Sequence, residues 1–325
     1  MCTAATYQGK NFYFGRNLDY EFDYGQKVLV TGRNYLMHFN HVDDIKSHYA
    51  MIGMGITLGN LPQYFEGMNE KGLAMAGLNF VGNAYYNDEI VPGKTNLAQF
   101  ELIPYVLAIC ESVKEVKKLI TTLNLTSESL SKEMPTAQLH WMIADKSECI
   151  VMEATKTGIH LYENKVGVLT NNPPFDYQLF NLNNYMSLSI SQPANNFDKN
   201  LSLSTYSRGM GAMGLPGDLS SMSRFVKVAF TRNNSKTKDS KYAEVSQFFH
   251  ILTSVEQQFG CCEVRENEYE YTIYSSCCDC DDLIYYYTTY YNHQINAVDM
   301  KKSDMDCDKI IEYPFNDQEN INYEN

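Results

Sequence analysis

The sequence has no excess of positive charge and no long apolar run. Its 26 lysine and arginine residues are outnumbered by 39 aspartate and glutamate residues, which gives a formal net charge of −13. A chain this acidic repels phosphate backbones, so we expect no nucleic-acid partner. No apolar stretch approaches the roughly 20 residues that span a bilayer, and no basic cluster indicates binding to a membrane surface, so we expect no membrane association.

The N-terminal segment also lacks the positive region and following apolar segment of a signal peptide. We therefore expect a cytoplasmic protein. Its nine cysteines are an odd number, and in a reducing compartment we expect them to be thiols and not a disulfide framework.

Nucleotide and metal motifs are missing as well. No complete P-loop motif is present, because Gly93-Lys94-Thr95 has aspartate and not glycine five residues before Gly93; this excludes nucleotide hydrolysis of the P-loop type. Residues 209–214 have the glycine spacing of a dinucleotide-binding loop, but no buried strand precedes them and Pro216 follows at once. The cysteines at 261–262 and 277–280 lack the paired spacing of a zinc site, so we interpret them as core or hairpin thiols. We expect no cofactor and no metal.

What the sequence does contain is typical of a folded protein, with 44% hydrophobic residues, 25 tyrosines and 16 phenylalanines. Strand-like alternation dominates the first third, with a hairpin turning at 69–72, and a second hairpin turns near 279–282. Helical patterns occupy residues 100–110, 112–123, 175–188, 220–230 and 244–255. With no repeat and no linker, this order predicts one α+β domain over residues 1–325, in which helices cover antiparallel sheets.

Cys2 directly follows a methionine of the kind that is commonly removed when the next residue is small. Removal would give one residue both a thiol and a free α-amine. An α-amine titrates near ~7.7–8.0 and a thiol near ~8.5, so the amine can take the thiol's proton close to neutral pH. Cys2 is thus a candidate nucleophile that carries its own base, although this dipeptide can also arise by chance.

Four further residues could support such a nucleophile. Arg16, on a strand expected beside that of Cys2, would favour the thiolate, and Asp19 could hold and orient the α-amine. Alternatively, these two residues close a turn as a salt bridge. Asn79 and Asn171 end strand-like segments, where side-chain amides and backbone N–H groups can stabilise an oxyanion, or can serve ordinary turns.

Eight short motifs extend over nearly the whole chain. They are Met-Cys-Thr at 1–3, Phe-Gly-Arg-Asn-Leu-Asp at 14–19, Gly-Met-Asn-Glu-Lys-Gly-Leu at 67–73, Ala-Gly-Leu-Asn-Phe at 76–80, Gly-Val-Leu-Thr-Asn at 167–171, Gly-Leu-Pro-Gly-Asp at 214–218, Ser-Arg-Phe at 223–225 and Tyr-Thr-Ile-Tyr-Ser-Ser-Cys-Cys at 271–278. In this order they resemble the choloylglycine hydrolases, the bile salt hydrolases of Gram-positive gut bacteria. These are N-terminal-nucleophile hydrolases related to penicillin V acylase.

The resemblance implies a four-layer αββα sandwich of two antiparallel sheets with outer helices, assembled as a homotetramer. It implies hydrolysis of glycine- or taurine-conjugated bile salts. The implied site has Cys2 as nucleophile, its α-amine as base, Arg16 and Asp19 as tuning and orienting groups, Asn79 and Asn171 as the oxyanion hole, and Arg224 as electrostatic support. By matching positions, the implied lining of the steroid cleft is Leu18, Phe65, Met134 and Leu139.

Two alternatives remain open on these residues. The first is an acylase for penicillin V or acyl-homoserine lactones on the same scaffold; Asn79 argues against it, because penicillin V acylases often carry tyrosine at the matching position. The second is an inactive homologue that binds bile acids, against which the six occupied site positions argue.

Overall fold

Two antiparallel β-sheets packed face to face form the centre of the structure, a computed structural model that describes residues 1–58, 61–131 and 134–325. The strands of these residues are β1 (Cys2–Gln8), β2 (Phe12–Tyr20), β3 (Lys27–Thr31), β4 (Met51–Leu58), β5 (Leu61–Asn69), β6 (Ala74–Asn79), β7 (Thr95–Ala98), β8 (Leu123–Thr126), β9 (Leu139–Ala144), β10 (Cys149–Thr155), β11 (Gly158–Glu163), β12 (Val168–Leu169), β13 (Glu263–Arg265), β14 (Glu268–Tyr269), β15 (Tyr271–Asp279), β16 (Ile284–Thr289), β17 (Asn292–Asp299) and β18 (Ile310–Tyr313). The α-helices are α1 (Leu102–Ile109), α2 (Val113–Ile120), α3 (Phe175–Asn181), α4 (Ser221–Asn234) and α5 (Lys241–Thr253).

The first sheet has six strands in the order β12-β1-β2-β15-β16-β17, and the second has eight in the order β11-β10-β9-β6-β5-β4-β3-β18. All neighbours in both sheets run antiparallel. Two small pairs, β7 with β8 and β13 with β14, lie outside these sheets.

Helices cover the outer face of each sheet. On the first sheet, α4 packs on β1 and β12, and α5 packs on β1, β2 and β15. On the second sheet, α1 and α2 share an apolar cluster with Trp141 and Ile143 of β9. Central strands are therefore buried on both faces, and six of the seven residues of β1 are buried. These four layers confirm the predicted α+β sandwich. None of the helices in the described ranges is both long and apolar enough to cross a bilayer.

The predicted hairpins are present. β5 ends at Asn69 and β6 begins at Ala74, and Gly72 between them has a φ of +80°, which glycine adopts without the steric cost of a Cβ. The hairpin of β15 and β16 also turns where predicted.

Two predicted helix ends differ from the structure. The pattern over 175–188 gives an α-helix only to Asn181, followed by a 3-10 turn over Leu182–Tyr185. Asparagine is a weak helix former that competes with the backbone, and here the Asn183 side chain donates to the Phe180 carbonyl oxygen. Ser112 does precede α2, but its hydroxyl makes no capping bond. The carboxylate of Asp145 accepts the Val113 N–H at 2.7 Å instead.

Candidate active site

β1 and β2 place Cys2 against Arg16. Cys2 lies opposite Leu18 and Ala4 lies opposite Arg16 in the antiparallel register. Side chains at directly paired positions, and at positions two apart along a strand, share one face of the sheet. That face looks onto the second sheet, where Arg16 Nη1 donates to the carbonyl oxygen of Gly77 at 2.6 Å. Arg16 Nη2 donates to Cys2 Sγ, and both residues are buried.

The Arg16 guanidinium stays charged in this buried position. Burial lowers its pKa, but electrostatic interactions with Cys2, Tyr274 and Glu66 outweigh that effect, and the net pKa of Arg16 is raised. The Glu66 carboxylate lies 3.9 Å from Arg16 Nε and accepts the hydroxyls of Tyr274 and Tyr285 at 2.7 and 2.6 Å. A fixed cation in a dry site favours the thiolate form of a neighbouring cysteine.

Asp19 lies on the other face of β2. Residues three apart on a strand point to opposite faces, so Arg16 and Asp19 cannot pair, and the alternative of a turn closed by their salt bridge is wrong. The Asp19 carboxylate accepts the Thr272 hydroxyl at 2.6 Å and the Gln257 side-chain N–H at 3.0 Å. Arg224 Nη1 lies 3.8 Å from the same carboxylate.

Asn171 and Arg224 hold the backbone of Cys2. The Cys2 N–H donates to Asn171 Oδ1 at 2.8 Å, and Arg224 Nη2 donates to the same oxygen at 2.8 Å. Arg224 Nη1 donates to the Cys2 carbonyl oxygen at 2.6 Å and to Thr3 Oγ1 at 2.5 Å. These bonds fix the position of the Cys2 nitrogen.

Asn79 joins the same network through its backbone. Asn171 Nδ2 donates to the Asn79 carbonyl oxygen at 2.8 Å, which uses one of the two N–H bonds of that amide. Among the described residues, the Asn79 side chain has no hydrogen-bond partner. Both asparagines therefore keep N–H groups for an incoming oxygen, and the structure brings all six predicted site residues together.

The free α-amine in this structure belongs to Met1. It donates to the Asp19 carbonyl oxygen at 2.8 Å and to Glu270 Oε2 at 2.5 Å. Burial raises the pKa of Glu270, and the neighbouring ammonium partly offsets that rise. While Met1 is present, the Cys2 nitrogen is a peptide nitrogen and not a base.

Several residues of this network are not identified by reasoning from the sequence. Thr272 lies within one of the eight motifs, which is a signal that could have found it. Gln257 and Glu270 lie outside every motif, and only the register of β15 beside β2 brings this part of the chain to Asp19.

An apolar cavity lies against β5 and β9 of the second sheet, and none of the six predicted site residues is among the described residues that line it. Phe65, Met134 and Leu139 line it together with Trp141, Phe100 and Ile103, whereas the fourth predicted residue, Leu18, is in the core opposite Cys2. The cavity volume is about 120 Å³, below the roughly 300 Å³ of a typical small-molecule site, so it can hold only part of such a ligand.

An aromatic cluster contacts the cavity through Phe65. Tyr20, Phe22 and Tyr24 pack against one another in edge-on and tilted arrangements at ring-centroid distances of 4.8 to 5.2 Å, and Tyr24 packs on Phe65 at 5.3 Å. Phe22 is half exposed, so the cluster offers apolar surface at the edge of the cavity.

The two motifs that the sequence analysis set aside, for a metal site and for a dinucleotide-binding loop, form no such site in the described residues. Within residues 1–58, 61–131 and 134–325, no group of three or more histidine, cysteine or acidic residues is arranged to hold a metal ion. Residues 209–214 include a 3-10 turn over Met210–Ala212, without the strand and helix of a dinucleotide-binding unit.

Comparison with known proteins gives a consistent result. Residues 2–313 match the linear amide C-N hydrolases, choloylglycine hydrolase family. The bile salt hydrolase/transferase of Lactiplantibacillus plantarum is 54% identical over 314 residues, 97% of each chain. The crystal structure of the mutant C2A conjugated bile acid hydrolase from Clostridium perfringens superimposes with a TM-score of 0.93 at 37% identity over all of both chains. Penicillin V acylase from Agrobacterium tumefaciens has the same fold, with a TM-score of 0.77 at 19% identity over 96% of this chain and 91% of its own.

Proposed function

Because this chain belongs to the choloylglycine hydrolase family of linear amide C–N hydrolases, we propose that it cleaves the amide bond of glycine- or taurine-conjugated bile salts with Cys2 as the nucleophile. The observation that carries the proposal is the buried Arg16 guanidinium on the Cys2 sulfur. The relatives named as bile salt hydrolases, at 54% and 38% identity, support the substrate class.

The first step requires loss of Met1. The Cys2 nitrogen then becomes a primary amine, which stays close to Asn171 Oδ1 and takes the proton of the thiol. The thiolate, stabilised by Arg16, attacks the amide carbonyl carbon. The oxygen that becomes negative accepts N–H groups from Asn79 and Asn171, which stabilise the tetrahedral intermediate.

The second step reverses the proton transfer. The ammonium of Cys2 gives its proton to the leaving nitrogen, the C–N bond breaks, and glycine or taurine departs. Water then attacks the thioester, the amine takes a proton from that water, and the free bile acid leaves as the thiol is restored.

Arg224 and Asp19 act on position and charge in this scheme. Arg224 holds the Cys2 carbonyl oxygen and Asn171 Oδ1 at once, which fixes the amine relative to the oxyanion site. Asp19 compensates the Arg224 charge from 3.8 Å. It orients the amine through Arg224 and not by direct contact of its carboxylate.

The apolar cavity and the aromatic cluster supply a surface for the steroid. Phe65 links the two, since it lines the cavity and packs on Tyr24. Its carbonyl oxygen also accepts from Arg16 Nη1 at 3.3 Å, so the Phe65 backbone contacts the guanidinium that donates to Cys2 Sγ, which supports this assignment.

The direct test measures glycine or taurine released from conjugated bile salts by ninhydrin, with wild type and Cys2→Ala compared at equal concentration. We expect release by wild type alone, and equal release by both proteins rejects Cys2 as the nucleophile. Parallel rates on glycocholate and penicillin V separate this function from an acylase on the same scaffold. The mass of the intact chain reports whether Met1 is absent.

We also propose that the protein assembles as a homotetramer. Several large apolar side chains in the segment 180–213 are exposed, with 75% of Phe180, 81% of Met186, 85% of Phe197 and 80% of Tyr206 accessible. Several large apolar side chains exposed along one segment support a surface that another chain covers. Light scattering should give about four times the chain mass of 37.2 kDa, and Phe197→Ser with Tyr206→Ser should lower it.

The proposed location is the cytoplasm. All nine cysteines are free in the structure, as suits a reducing compartment. Fractionation of the source cells tests this, and recovery outside the cell would contradict it.

A further inference from the structure

A buried histidine–glutamate pair lies next to the chain segments that carry the two site asparagines. His140 on β9 and Glu153 on β10 are both fully buried. His140 Nδ1 lies 3.1 Å from Glu153 Oε1, and His140 Nε2 lies 2.9 Å from the Thr170 carbonyl oxygen. Neither residue belongs to the mechanism described above.

The proton positions in this pair follow from the partners. A carbonyl oxygen can only accept, so Nε2 must carry a hydrogen directed at Thr170. The contact between Nδ1 and Glu153 Oε1 then holds one proton, either as imidazolium with carboxylate or as neutral imidazole with carboxylic acid. In both forms Glu153 fixes the ring and the Nε2–H bond keeps its direction.

Glu153 is itself held in place. Its Oε1 also accepts the Phe175 N–H at 2.9 Å, at the start of α3. Its Oε2 is buried and has no partner among the described residues. Burial of a carboxyl oxygen without a partner is unfavourable, so this placement needs compensation from the His140 contact.

His140 touches the neighbour of each asparagine. Thr170, which accepts its Nε2–H, immediately precedes Asn171. Phe80, which immediately follows Asn79, stacks on the imidazole with ring centroids 4.4 Å apart and an interplanar angle of 6°. One rigid side chain therefore contacts both segments that carry the oxyanion donors.

We propose that His140, oriented by Glu153, is the positioning residue that sets the separation of Asn79 and Asn171 and so the geometry of the oxyanion site. The proposal rests on the proposed function, because it assigns His140 to the acyl-transfer steps at Cys2. A displacement of about 1 Å at such a site can reduce a rate about 100-fold, which is the scale on which a positioning residue acts.

Three substitutions separate the contacts of His140. His140→Phe keeps a ring on Phe80 but removes the donor to Thr170. Glutamine and asparagine are a matched pair of amides, since a glutamine amide reaches the place of Nε2 and an asparagine amide reaches only that of Nδ1. We expect kcat for glycine release to fall about 10- to 100-fold in His140→Phe and His140→Asn, with KM little changed, and to recover substantially in His140→Gln.

A second readout distinguishes positioning from general loosening of the site. Alkylation of Cys2 by iodoacetamide needs the thiolate but forms no oxyanion, so we expect its rate to stay at the wild-type value in all three variants. The control is His160→Phe on β11, whose histidine lies opposite Glu153 and forms a hydrogen bond with Thr157. We expect that variant to match wild type in both assays.

The outcomes are distinct. Unchanged kcat in both His140→Phe and His140→Asn overturns the positioning role, as does a loss of kcat matched by an equal loss of alkylation rate. If His140→Phe does not fold, the asparagine and glutamine variants still decide, and equal kcat for the two overturns the proposal. If wild type releases no glycine, the proposed function fails first, and the role of His140 fails with it.

Discussion

Cys2 and the cysteines of β15 lie two strands apart in one sheet and are buried to a similar degree. The charged groups beside them, however, are of opposite sign. Burial raises the pKa of Cys277 and of Cys278 well above the ordinary thiol value, and the nearby acidic residue Asp279 raises both further. Cys2 is 4% exposed but receives a hydrogen bond from the Arg16 guanidinium. On the proposed function, this difference in fixed charge, and not the degree of burial, distinguishes the nucleophile from the buried thiols of β15.

The largest expected effect is the difference between two serine substitutions, one at Cys2 and one at Cys278. Cys2→Ser should reduce glycine release by about 10⁴-fold or more, because a hydroxyl is not ionised under these conditions. Cys278→Ser should keep kcat and lower the free energy of unfolding by about 1–3 kcal/mol, since it buries a hydroxyl in an apolar site. Ninhydrin assays and urea unfolding of both variants measure this contrast, and comparable kcat losses would remove it.

The second largest effect is expected when the Cys2 site loses its cation and so resembles the site of Cys278. Arg16→Leu removes the cation, and we expect kcat to fall about 100-fold near neutral pH. Arg232→Leu is the control, because that arginine is partly buried on α4 and bonds Thr6, away from Cys2. A kcat for Arg16→Leu equal to that of Arg232→Leu would contradict the role of Arg16.

A smaller effect is expected in chemical labelling of the native protein. Burial raises the pKa of Cys110 and of Cys149 to about 12, so both stay protonated even at pH 9. Iodoacetamide should therefore modify Cys2 well before these two residues, with exposed Cys261 as the internal reference for an ordinary surface thiol. Peptide mass mapping against time gives the order, and modification of Cys149 as early as Cys2 would reverse the comparison.

The smallest effect concerns Glu66, which shares Arg16 with Cys2. Burial raises the pKa of Glu66 above its ordinary 4.5, even though Arg16 and two tyrosine hydroxyls lower it. Ionisation of a group whose folded pKa is raised is unfavourable in the folded state, so wild type should lose stability relative to Glu66→Gln as the pH rises from 4.5 through the folded pKa. The loss is about 1.4 kcal/mol for each unit of the rise in pKa. Unfolding free energies of both proteins across this range test the sign; an opposite trend would contradict it.

The sequence patterns predict much of this site because it is built on strands. Alternation predicts β1 and β2, and Gly72 predicts the turn before β6, which together place Cys2, Arg16 and Asn79. The spacing of Arg16 and Asp19 already implies opposite faces once the segment is taken as a strand. The salt-bridge alternative was wrong because β2 continues through both residues.

Other parts of the site depend on contacts that no local pattern contains. Gln257 reaches Asp19, and Glu270 reaches the Met1 amine, through the pairing of β15 with β2. The apolar cavity combines β5 with the loop before β9, so an apolar side chain such as Leu18 cannot be assigned to cavity or core from its sequence position.

The proposed reaction at Cys2 requires, besides the Arg16 cation, that the α-amine of Cys2 itself is free. A cleavable N-terminal extension, whose removal leaves Cys2 as the first residue, tests it within one protein sample. Glycine release from a conjugated bile salt should be absent before cleavage and appear in proportion to the exposed Cys2 termini counted by intact mass. Equal release before and after cleavage would contradict the claim.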